Sequence, residues 1–288
     1  MIVSFNYQNR NSLVERFDPR ARWFFSILVL LSITIFWDIR FLTFFLALTF
    51  GQYVLARLTW KETRRAWIFV FFIMSTMVIV NTLITSSGTI GAVMQGTHTV
   101  FEFRLTFPLT GWVWHFDLTV ERLWFALTQV VRILAISSLF LVIPFTMDPR
   151  QYGATFRGMG IPDRLAYTLD LSFRFVPTLG RDFQTTLDAQ RARGYEVEKV
   201  EGGLIAQIRK LAPLVVPVTM NAILSGEDIA NAMDLRCFGL QKRTWIEQLH
   251  YHRYDFALIG FGVLLLGGSI LLSALGYGEF WVPPSLLK

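Results

Sequence analysis

Apolar residues in this chain gather in long runs, and short basic stretches separate them. Five runs qualify as membrane spans, at about 23–37, 41–56, 66–85, 123–145 and 256–275, against about 20 residues needed to cross hydrocarbon. The first two are short and are parted only by Asp38-Ile39-Arg40, which predicts a tight hairpin in a thinned or protein-lined region. A glycine-bearing loop at 86–121 follows the third span. It reads first as an ordinary interfacial loop, with a short hairpin over the alternation at Val100–Phe107 as the alternative, and Trp112 and Trp114 suit a membrane interface.

A different pattern fills 146–253, which lacks the alternation of a sheet. Two long helices are predicted there, at about 163–193 and 203–236. Gly160 and Pro162 mark the start of the first, and Gly194 suits its stop, because glycine tolerates a left-handed backbone. Pro177 predicts a kink in it, and Pro213 and Pro217 predict a bend or break in the second. Each helix carries a seam at alternating four and three spacing. The first seam includes Val176, Leu179 and Phe183, with Pro177 beside it. The second includes Leu211, Val215, Val218 and Ala222. This is the spacing of helices packed along each other. Both seams grow smaller or more polar towards their ends, and both finish on arginine.

Those ends match. Ala189-Gln190-Arg191-Ala192-Arg193-Gly194-Tyr195 aligns with Ala232-Met233-Asp234-Leu235-Arg236-Cys237-Phe238. A guanidinium at a helix C-terminus is favoured by the helix dipole, and its fork of donors suits a partner's carboxylate. Small neighbours let another surface come close. The candidate contact residues are therefore Ala192, Arg193 and Gly194, and Leu235, Arg236 and Cys237.

Composition agrees with a membrane protein. Of 288 residues 53% are hydrophobic and 17% charged, with 27 Phe and 9 Trp, and the mean hydropathy is +0.45. A net charge of +6 sorts by membrane side, so nucleic acid is not an expected partner. An N-terminus inside the cell puts Arg57, Lys61, Arg64, Arg65 and the fourteen Lys or Arg of 146–253 inside, in accord with the excess of basic residues in cytoplasmic loops. The C-terminus is then outside. The polar first 22 residues do not read as a cleavable signal. One cysteine, Cys237, leaves no intrachain disulfide and no cysteine-built metal cage.

With these motifs assembled, the sequence resembles the transmembrane T component of energy-coupling factor (ECF) transporters, prokaryotic importers of vitamins and transition-metal ions. The resemblance runs through Asp18-Pro19-Arg20-Ala21-Arg22, Arg132-Ile133-Leu134, Thr146-Met147-Asp148-Pro149, Gly158-Met159-Gly160-Ile161-Pro162, Phe173-Arg174-Phe175-Val176-Pro177 and the two arginine motifs. It implies an all-α membrane fold in the prokaryotic cytoplasmic membrane, with about five transmembrane helices and cytosolic coupling helices crossing as an X. It divides the chain into 1–145, 146–253 and 254–288. It further implies two ABC ATPase partners, which bind ATP and Mg while this chain binds no cofactor, and a membrane-embedded substrate-binding S component. Arg193 and Arg236 then sit in ATPase grooves, and the seam residues hold the arms and meet the S component. The family's second motif usually reads Ala-Arg-Gly or Ala-Arg-Ser, so Leu235 and Cys237 depart from it.

Two rival classes are weaker. No Gly-x-x-x-x-Gly-Lys-Ser/Thr is present, so the chain supplies no phosphate cradle of its own. A membrane enzyme would need a clustered site, and His250-Tyr251-His252 with Asp255 reads better as a juxtamembrane stretch. A secondary transporter would need charges lining a path. Only Arg132 qualifies, as an isolated arginine expected to pair with the cytosolic helices or to snorkel. Arg174, four residues after Asp170, suits a helical ion pair.

Overall fold

The computed structural model describes residues 10, 12–84, 99–106, 113–195, 204–240 and 249–283. In chain order its elements are α1 (Pro19–Ile35), α2 (Ile39–Leu55), α3 (Trp60–Ile84), β1 (Thr99–Thr106), β2 (Val113–Thr119), α4 (Val120–Thr146), a 3-10 turn (Pro149–Gln151), α5 (Tyr152–Gly158), α6 (Asp163–Ala192), α7 (Leu204–Leu235) and α8 (Arg253–Ala274). The architecture is all-α, apart from one antiparallel hairpin between β1 and β2 among the described residues. The loop expected at 86–121 thus contains the short hairpin, its alternative reading, while Trp112 lies outside the described residues. The described residues fall into two compact units, one within 10–147 and 250–283, the other within 148–249.

The first unit holds the apolar helices. Segments of α3, α4 and α8 are long and apolar enough to cross a membrane, and α2 is a shorter apolar helix. The helices α1 and α2 have 17 residues each, about 26 Å of rise. Phe25, Val29 and Ile33 line one face of α1 and pack with Leu42 and Phe45 of α2 and Ala135 and Leu139 of α4. Aspartate starts both helices. The Asp18 and Asp38 side chains accept the N–H of Arg20 and Arg40, satisfying donors that a helix leaves orphaned at its N-terminus.

The start of α1 is tied to two other helices. The fully buried Asp255 on α8 accepts the Asp18 N–H at 2.8 Å and the His252 N–H at 2.7 Å. It therefore caps α8 and fixes α1 at once. Asp18 also pairs with Arg20 at 2.9 Å, and this hydrogen bond raises the arginine's pKa above its ordinary value. The Arg20 guanidinium lies 3.9 Å from the centre of the Tyr251 ring, whose phenol is pushed up by burial. One turn on, buried Arg22 donates from Nη1 to the Thr146 carbonyl at 3.2 Å and to Thr146 Oγ1 at 3.0 Å.

A C-terminal strap closes the other end of the unit. The Trp37 N–H donates to Gly278 O at 2.8 Å, and Trp124 Nε1 donates to Trp281 O at 2.9 Å. Arg40 lies over the Trp281 ring. Arg132 does not need the cytosolic helices expected for it. It donates to the Phe36 carbonyl and lies over the Trp37 ring, at the C-terminal end of α1, where carbonyls lack helical partners and favour a cation.

The second unit is built from two long helices. Asp148 caps the 3-10 turn, and α5 then folds onto α6. A Cβ at Gly153 would stand 2.8 Å from Asp170 Cβ and 2.9 Å from Ala166 O, so only glycine permits this approach, and Tyr152 stacks on Phe173. The helix α6 runs unbroken through Pro177, and α7 through Pro213 and Pro217, so the expected break in the second helix does not occur. Arg174 pairs with Asp170 at 3.4 Å, as the spacing predicts. The two long helices pack antiparallel. Tyr167 near the start of α6 meets Phe238 just past the end of α7, with ring centroids 4.7 Å apart. Gln190 near the end of α6 donates to the carbonyl of Pro213 in the first half of α7.

Candidate functional site

The two arginine motifs share one backbone device. At the end of α6, Gly194 adopts φ +84. Its N–H donates to Arg191 O at 2.9 Å, and the Tyr195 N–H donates to Gln190 O at 3.0 Å. At the end of α7, Cys237 adopts φ +53, its N–H donates to Asp234 O at 2.9 Å, and the Phe238 N–H donates to Met233 O at 3.0 Å. Both are Schellman caps, with arginine at the C-cap and the small residue in the left-handed position. The small residue is thus required by the helix's own termination. Cys237 meets that requirement less well than Gly194, because its Cβ crowds the backbone there.

Past the second cap, Phe238 packs on Tyr167 of the other helix, α6, so the aromatic there joins the end of α7 to the start of α6. Arg193, Arg236, Ala192 and Leu235 are all exposed. Leu235 is 87% exposed, an unusual place for a large apolar side chain. The antiparallel packing sets the two arginines at opposite ends of the helix pair, separated by roughly 40 Å of helical rise. They form two separate contact points.

The seam is partly where the spacing placed it. Pro177, Leu179, Phe183, Val218 and Ala222 are half-buried. Val176 and Val215 are exposed, and the side chain of Leu211 lies outside the described residues. Leu214, which is 1% exposed, occupies the inward position assigned to Val215. The seam steps back four residues from Val218, not three, because a helix of 3.6 residues per turn drifts from a strict heptad. A second apolar face remains on α7. Val216, Met220, Ile223 and Leu224 are each more than half exposed, at helical spacing on a side away from Leu214. The same drift hides this face from a heptad reading. No group of three or more His, Cys, Asp or Glu placed to hold a metal ion occurs among the described residues, and Asp255 serves as a cap.

A profile of the CbiQ family, described as cobalt transport protein, matches residues 11–246. The chain belongs to this family. Among its relatives, the energy-coupling factor transporter transmembrane protein EcfT of Ruminiclostridium cellulolyticum is 24% identical over 274 residues, 92% of this chain and 95% of the relative. The EcfT protein of Thermosediminibacter oceani is 31% identical over 164 residues, 54% and 61% of the two chains. That of Lacticaseibacillus paracasei is 30% identical over 171 residues, 56% and 62%. The CbiQ-family match spans the second unit's caps and most of the first unit's helices. The protein is accordingly the T component of an ECF transporter, a non-catalytic membrane subunit of a transport complex.

Proposed function

We propose that this T component couples two ABC ATPase subunits to a membrane-embedded S component for uptake of a vitamin or a transition-metal ion. The observation that carries the reading is the repetition of one exposed arginine cap at both ends of an antiparallel helix pair. Arg193 and Arg236 each enter a groove of one ATPase and pair with carboxylates there, bidentate geometry being the strength of a guanidinium. ATP and Mg bind the ATPases, and this chain holds no cofactor. The S component rests on the exposed apolar face of α7 around Val216, Met220 and Ile223, and on the exposed Val176 of α6 and Val215 of α7. Residues 148–249 and the N-terminus lie on the cytosolic side, and the C-terminus lies outside. Movement of the ATPases shifts α6 and α7, and the S component reorients with them.

The test is a double substitution, Arg193→Ala with Arg236→Ala, in the native operon. The chain stays in the membrane, while copurification of both ATPases and substrate uptake are lost. Retention of both would refute the assignment. A wild-type chain purifying without any ATPase would instead favour a membrane enzyme or a secondary carrier.

A further inference from the structure

We propose that Arg22 is a positioning residue for coupling, fixing the last turn of α4 where the chain passes from the first unit into the second. The proposal rests on the coupling role above. Arg22 is 7% exposed. A charge so placed stabilises less than an apolar side chain of similar volume, while its donors fix the positions of the groups they reach. Its Nη1 reaches two acceptors on a single residue, Thr146 O at 3.2 Å and Thr146 Oγ1 at 3.0 Å. The Thr146 hydroxyl already donates to Val142 O at 2.8 Å, which turns its lone pairs towards the arginine. Thr146 is the last residue of α4, where carbonyls lack helical partners and a cation is favoured.

The clamp draws its meaning from its place in the chain. Met147, the next residue, is buried, and Asp148 opens the stretch 148–249 of the second unit. A displacement of that stretch carried back along the chain enters the first unit at α4 here, while its other end leads through His250 to α8. Arg22 in turn sits on α1, whose start Asp255 ties to α8. The exit of α4 is therefore referenced to two other helices. The cavity bordered by Arg22, Gln52, Thr146 and Met147 measures about 10 Å³, room for one water molecule at most. Thr146 cannot shift far into it without moving α1.

Arg22→Met keeps the volume and removes the grip, and Arg22→Lys keeps the charge but not the planar fork. Each is assembled with its ATPases and S component, and ATP hydrolysed is measured against substrate taken up. The expected result is retained assembly and hydrolysis with uptake per ATP reduced several-fold, more in Met than in Lys. An unchanged ratio, or uptake falling only in proportion to the amount or thermal stability of the protein, would show a merely structural role. Hydrogen exchange on the isolated chain gives a readout that needs no ATPase. In Arg22→Met the amides of 145–148 exchange several-fold faster while those of α2 do not change. Unaltered exchange at 145–148 overturns the proposal even where the coupling role holds. Failure of the wild-type chain to bind ATPases overturns the coupling role alone.

Discussion

Replacing Gly194 tests whether the motif's small residue serves the helix or a partner. Gly194 sits at φ +84, and a Cβ there would meet nothing within 4 Å. The cost of Gly194→Ala is therefore purely conformational, about 1–2 kcal/mol for an L-residue in the left-handed region. That energy favours opening of the cap by about 5- to 30-fold. Asparagine tolerates this backbone better than alanine although it is larger, so Gly194→Asn costs less. Cys237 at φ +53 carries the strain already, and Cys237→Gly relieves a similar amount. The assay is hydrogen exchange on the intact protein in nanodiscs, followed at the Gly194 and Tyr195 amides, which make the two cap bonds of α6, and at Phe238. Exchange at Tyr195 rises in the order Gly, Asn, Ala, and exchange at Phe238 slows in Cys237→Gly. Asn proving as harmful as Ala, or Cys237→Gly speeding exchange, would refute the backbone argument and return the motif to partner approach alone.

Two further outcomes rest on burial. Asp255→Ala removes a carboxylate that accepts two backbone N–H groups. At about 1.5–3 kcal/mol for each bond to a charged group, the thermal unfolding midpoint in detergent falls clearly, and Asp255→Asn, which keeps one acceptor, falls less. Leu214→Ala costs about 2–4 kcal/mol in the same assay, while the half-exposed Val215→Ala costs under about 0.5 kcal/mol. The reverse order would restore Val215 to the seam.

How much was legible in the chain depends on the range of each interaction. The stop at Gly194 and the Arg174–Asp170 pair are local, and their spacing announces them. The duplicated motif was visible as a pattern. Its shared cause was hidden because cysteine does not advertise a left-handed backbone as glycine does. Asp255 was opaque for another reason. Its main partner lies 237 residues away, and nothing near it in sequence signals a cap for α1. Arg132 likewise finds an acceptor in a backbone carbonyl, a group every residue offers. Of the bend or break expected at Pro213 and Pro217, the break does not occur, because packing against α6 stabilises a helix that propensity alone disfavours.

The antiparallel pairing of α6 and α7 carries a consequence of symmetry. Two equal caps at opposite ends of such a pair are related by an approximate dyad running between the helices. A single polypeptide thereby shows the same cap twice, turned by half a rotation. A partner made of two equal halves around its own dyad can meet both caps with one kind of groove. Opposed pushes at the two ends then act as a couple and rotate the pair, whereas parallel pushes translate it. The dyad is broken in the motifs themselves, by charge at Arg191 against Asp234 and by size at Leu235 and Cys237 against Ala192 and Gly194, so a preference between two non-identical halves would be written at these positions.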